Sequence, residues 1–162
     1  MLRICLAIVI GLFAASSAAQ AEGYMSRCFD NVHNNYDPSA TMAWEQEQRL
    51  ADAQAMQAIA GTWYQEIPSP QTNQIAYVTV RYSPNGIVDF QTHTCGAMNG
   101  YQSCSDDVGH GQFTARPMGD GSIFVMRNLS SSTRTNACGG AQVWVQGNQL
   151  VGSDGTRAQR VQ

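Results

Sequence analysis

Apolar and polar positions along this chain change their period at Gly61. Upstream, residues 38–60 read PSATMAWEQEQRLADAQAMQAIA, a stretch dominated by Ala, Gln and Glu, which are good helix formers. Asp37-Pro38-Ser39 is a helix start, and Met42, Trp44, Leu50, Ala53 and Met56 leave a ragged apolar stripe. The pattern predicts one helix over 38–60 covering the side or end of a sheet; a coiled coil would need longer heptads. Residues 22–37 are polar and aromatic without a period and read as an irregular lead-in.

Downstream of Gly61 the period becomes two. In QIAYVTVRYS, Ala76, Val78, Val80 and Tyr82 share one face, with Ile75, Tyr77, Thr79 and Arg81 on the other. In GIVDFQTHT, Val88 and Phe90 oppose Asp89, Gln91 and His93. Such alternation predicts short half-buried strands at 62–67, 74–83, 87–94, 110–116, 122–129, 141–146, 149–153 and 156–161. Asn85-Gly86, Asp120-Gly121, Gly147-Asn148 and Asp154-Gly155 read as two-residue hairpin turns, since Gly and Asn tolerate positive φ. Successive hairpins make a meander, and eight antiparallel strands lose their exposed edges if the last pairs with the first. The expected fold is therefore mainly β: an eight-stranded antiparallel up-and-down barrel over 61–162, preceded by an N-terminal α-helix. The connection 95–109 is expected to be a long bridged loop at the barrel rim.

Composition refines this picture in two places. The 162 residues carry 12 acids and 9 basic residues, all of the latter arginine, and the balance of -3 leaves no electrostatic footprint for nucleic acid. Residues 1–21 combine Arg3, an apolar run over 6–13 and the small-x-small exit Ala19-Gln20-Ala21, which is the layout of a cleaved secretory signal peptide. The run is short of the ~20 residues that span a bilayer, so no membrane span is expected after cleavage, and the expected location is periplasmic or secreted. Cys28, Cys95, Cys104 and Cys138 then remain, an even set that in an exported chain points to disulfides. Four cysteines allow three pairings. Closing the short Gly- and Asn-containing loop favours Cys95 with Cys104, which leaves Cys28 with Cys138 to tie the lead-in to the barrel.

The run Ala60-Gly61-Thr62-Trp63-Tyr64, following a helix and opening the first strand, resembles the calycin superfamily: lipocalins, avidins and small bacterial inhibitor barrels. The resemblance rests on this run, the strand count and a terminal arginine. It implies that Trp63 plugs one barrel end and that Arg157 or Arg160, from the last strand, packs across it. A guanidinium on an indole face is favourable in its own right. The avidin opening continues with an Asn and a Ser that hold biotin; Gln65 and Ser69 stand here, so biotin is not implied.

Chemistry-bearing residues are sparse. There is no phosphate-binding Gly loop, zinc spacing, nucleophile elbow or convergent carboxylate pair, and neither a catalytic residue, a metal nor a cofactor is expected. His93 and His110 flank the 95–109 segment beside Asp106 and Asp107, and read as solvated rim residues rather than a metal site. Extending the Trp63 face along its strand turns Gln65 and Ile67 inward. The matching faces supply Val78, Val80, Tyr82, Phe90, Thr92 and Phe113. Gln65, Tyr82, Phe90, Thr92 and Phe113 are the candidate ligand contacts. The expected function is a non-catalytic binding barrel for a small, mostly apolar ligand. The alternative is a barrel that binds an exported protein partner, such as a hydrolase, through 22–37 or 95–109.

Overall fold

A computed structural model describes residues 27–30, 33–69, 74–98, 101–132 and 136–161; the leader over 1–21 lies outside the described residues. Two helices precede eight strands: α1 (Pro38–Arg49), α2 (Ala53–Ile59), β1 (Gly61–Ser69), β2 (Gln74–Tyr82), β3 (Ile87–Met98), β4 (Tyr101–Pro117), β5 (Ile123–Ser131), β6 (Ala137–Gln146), β7 (Gln149–Gly152) and β8 (Arg157–Val161). Each strand pairs antiparallel with the next, and β8 returns to β1 through Thr62↔Val161, Trp63↔Arg160 and Tyr64↔Gln159. The sheet is thus a closed eight-stranded up-and-down barrel without a free edge, as the alternation predicts.

The helix expected over 38–60 is two helices. Asp37 caps α1 by accepting from the Ala40 amide at 2.9 Å, with Pro38 in the first turn. A second cap then interrupts the run: Asp52 accepts from the Ala55 amide at 2.8 Å, while its own amide donates to the Ala115 carbonyl at 2.8 Å. Asp competes for backbone donors inside a helix and wins at its start, so the Ala- and Gln-rich composition concealed a break. That break anchors the helical layer to β4.

The segment 95–109 is likewise not a rim loop. The β3–β4 ladder runs from Ile87↔Gln112 through Cys95↔Cys104 to Met98↔Tyr101, so the two cysteines face each other directly across paired strands. Both expected disulfides are present, Cys95–Cys104 and Cys28–Cys138. Of the four expected two-residue turns only Gly147-Asn148 has that length; the links 83–86, 118–122 and 153–156 are longer. Gly86, Gly121, Gly147 and Gly155 each adopt positive φ, so the residue choice is explained although the loop length differs.

Two apolar clusters result. Inside the barrel, Trp63, Tyr82, Val88, Phe113, Ala115, Val125 and Val143 pack with Ala55 and Ile59 of α2, which closes one end. Outside it, Trp44 of α1 packs on Met126 and Cys28, with Ala40, Phe124 and Cys138 alongside. The lead-in is held there by the Cys28 bridge and by isolated pairings of Phe29 with Tyr36 and Ala137.

Candidate ligand cavity

The closed end sets the floor. The Trp63 indole N–H donates to the Ile59 carbonyl at 2.8 Å, and the Arg160 guanidinium lies 4.4 Å from the Trp63 ring centre. Arg160 Nη2 also donates to the Ala58 carbonyl at 3.1 Å, tying β8 to α2. Gly61, at φ +137°, makes room: a Cβ there would stand 3.1 Å from Arg160 Nη1. Of the two arginines expected at this end, Arg160 takes the position. Arg157 has the opposite strand parity and donates to Gln149 Oε1 at 3.2 Å.

Above this floor the interior is incompletely filled. A cavity of about 470 Å³ is walled by Gln65 and Ile67 of β1, Val78, Val80 and Tyr82 of β2, Val125 and Arg127 of β5, and Ala141 and Val143 of β6. Leu150 of β7, Ala158 of β8 and the hairpin residues Ser153, Asp154 and Thr156 complete it. Space remains because most inward positions of β2, β5, β6 and β7 are Val, Ala and Leu, too small to meet across the barrel, with Tyr82 and Arg127 the large polar exceptions on β2 and β5. Among the expected contacts, Gln65 and Tyr82 line this space. Phe113 lies beneath it in the core, its ring edge-on to Tyr82 at 4.8 Å. Phe90 and Thr92 do not line it. Phe90 packs over Gly109, directly opposite in register, where a Cβ would collide with the Phe90 ring.

Sequence reasoning passed over Arg127. It shares strand parity with Ile123, Val125 and Leu129, so its side chain enters on the face that otherwise supplies core. The IFVMRNL alternation carried that signal. Arg127 Nη1 donates to the Tyr82 hydroxyl at 3.3 Å, and no carboxylate among the described residues pairs with it. Its register partner on β6 is Gly139, where a Cβ would meet nothing within 4 Å. The acid that lines the cavity, Asp154, is engaged elsewhere. It accepts from the Thr156 hydroxyl at 2.6 Å and amide at 3.0 Å, and these bonds hold its carboxyl below the usual Asp range.

Two surface features complete the inventory. A wider concavity of about 580 Å³ lies on the outer face among Thr79, Arg81, Asp89, Val108 and His110, but it is open to solvent. His93 Nδ1 stands 2.7 Å from Asp106 Oδ1, and its Nε2 stands 3.0 Å from Cys95 Sγ. Cys95 and Cys104 are consumed in their disulfide, so this group offers no thiolate to a metal. His110 pairs with Asp89, four positions along the ladder from His93↔Asp106, so the two histidines do not converge. No family model, curated protein or solved structure matches this chain.

Proposed function

We propose that this chain is an exported, non-catalytic binding barrel of calycin type that holds one small, mostly apolar molecule in its interior. The observation that carries the reading is the 470 Å³ cavity above the Trp63–Arg160 floor. Its size falls in the range of ordinary small-molecule sites, roughly 300–1,000 Å³, and aliphatic walls with a few polar groups are the usual lining. The leader-like residues 1–21 and the two disulfides support an oxidising, exported location. The Trp63–Arg160 stack supports the calycin resemblance.

Native mass spectrometry of the protein purified from its exported fraction tests the reading. A small-molecule mass retained under native conditions and lost on denaturation is the expected result. Filling the space with Ala141→Phe should remove that mass while the far-ultraviolet circular dichroism stays that of the barrel. A mass unaltered by the filling variant, or a chain that neither carries nor takes up any apolar probe, would end the reading.

A partner-binding role has one observation in its favour. The disulfide-stapled β3–β4 hairpin exposes Tyr101 (80 %) and Val108 (61 %), which a protein surface would cover. Pull-down with wild-type and Tyr101→Ser, Val108→Ser protein distinguishes it: specific capture lost in the double variant favours the partner.

A further inference from the structure

Arg127 is an anomaly of charge placement. A guanidinium stays protonated at any physiological pH, and holding one half-buried with no carboxylate in contact with it is costly. Other arginines of the barrel are provided for: Arg116 bonds both Glu47 oxygens, Arg160 stacks on Trp63 and bonds a carbonyl, and Arg157 meets Gln149. Among the described residues Arg127 has a single hydrogen-bond partner, the Tyr82 hydroxyl, which accepts from it. That hydroxyl keeps its own hydrogen, and no acceptor for it is found among the described residues. Two donors therefore converge inside one cavity, a planar fork and a phenol.

We infer that the barrel selects a monoanionic ligand, an apolar body carrying one carboxylate, whose oxygens are received by Arg127 and Tyr82. This rests on the binding-barrel reading and names its substrate class. A carboxylate matches the guanidinium fork with two parallel hydrogen bonds and can take a third from Tyr82. The aliphatic remainder lies along Val78, Val80 and Leu150. Asp154, a carboxylate lining the same cavity, disfavours a second negative charge on the ligand, so dianions are rejected.

Three probes of one chain length separate this inference from the reading beneath it: octanoate, octanol and octylamine, titrated calorimetrically into the full mature protein. Octanoate should bind about 10- to 100-fold more tightly than octanol, the ratio expected of a charge-assisted hydrogen-bond set, with octylamine weakest. Arg127→Met should erase the advantage of octanoate over octanol. Arg127→Lys should retain part of the advantage, and Tyr82→Phe should lose part of it. If octanol binds as well as octanoate to the wild type, the anion inference falls and the apolar binding barrel stands. That comparison needs no variant to fold. If none of the three binds, both fall.

Discussion

The two faces of the β4–β6 wall are finished in different ways. On its outer face, beneath α1, Trp44, Cys28 and Met126 are buried and the Cys28–Cys138 bridge fixes the lead-in. There Arg116 reaches Glu47 with Nε at 2.7 Å and Nη2 at 3.2 Å, and it also lies 5.3 Å over the Phe124 ring. The Thr114 hydroxyl donates to the Glu47 carbonyl at 3.0 Å. On the inner face, space is left open and among the described residues Arg127 bonds only the Tyr82 hydroxyl. An arginine on each face of the same wall thus meets opposite treatment. The outer compartment is built to hold; the inner one retains volume and charge that a stability-maximising core would eliminate.

The sharpest way to break this contrast is at Trp44. Trp44→Ala should cost about 3–5 kcal/mol in urea unfolding, as for other buried aromatic truncations. Trp44→Phe should cost far less, because the buried indole N–H finds no hydrogen-bond acceptor among the described residues. Replacing Cys28 and Cys138 together by Ser should lower stability by about 2–4 kcal/mol, given the 110-residue separation that the bridge closes. The same double replacement should leave octanoate affinity unchanged, since neither residue lines the cavity.

The paired arginines give the most direct comparison. Glu47→Gln should destabilise by about 1–2 kcal/mol, because the Arg116–Glu47 pair is largely shielded from solvent and Glu47 hydrogen bonding raises the Arg116 pKa. Arg127→Met should cost less than Glu47→Gln, because among the described residues the half-buried Arg127 gives up one long hydrogen bond to a neutral hydroxyl. Equal losses from the two substitutions, measured by the same unfolding curves, would erase the distinction between the faces.

The smallest expected effect is that of pH on the β7–β8 hairpin. Hydrogen bonds from Thr156 hold the Asp154 pKa below the ordinary value it has in the unfolded chain. Its contribution to folding is therefore complete above that unfolded-state value and is lost as pH falls through the lower folded-state value. Asp120 behaves alike through Ser122. Thermal unfolding followed down into strong acid should lose part of this dependence in Asp154→Asn.

Period-two alternation disclosed the barrel because inward positions such as Val78, Val80 and Tyr82 recur without interruption, and glycines mark the turns. Both disulfide pairings were legible, one from loop length and the other by remainder. The Asp52 break was hidden because the Ala- and Gln-rich residues on either side favour a continuous helix, and the cap is fixed by a contact from outside the segment, the Ala115 carbonyl. The stretch TCGAMNGYQSCSDDVGH reads as loop because Gly, Asn and Asp are poor strand formers. It forms a ladder nonetheless, since its pairing follows from the strands it extends and from the Cys95–Cys104 bridge across it. Arg127 was passed over because a charged residue at a core parity looks like a slip in the pattern until the neighbouring strands show what surrounds it.

The nesting of the disulfides bears on how the chain matures. Synthesis delivers residues in order from the amino terminus, so Cys28 appears first and its partner last, with Cys95 and Cys104 emerging between them. An oxidant acting on these four cysteines as they appear would join Cys28 to Cys95 and leave Cys104 to pair with Cys138. Reaching the native set therefore calls for delayed oxidation or for a catalyst that reshuffles disulfides. The outer bridge can form only once Cys138 at the start of β6 exists, so it records that the first five strands have been made.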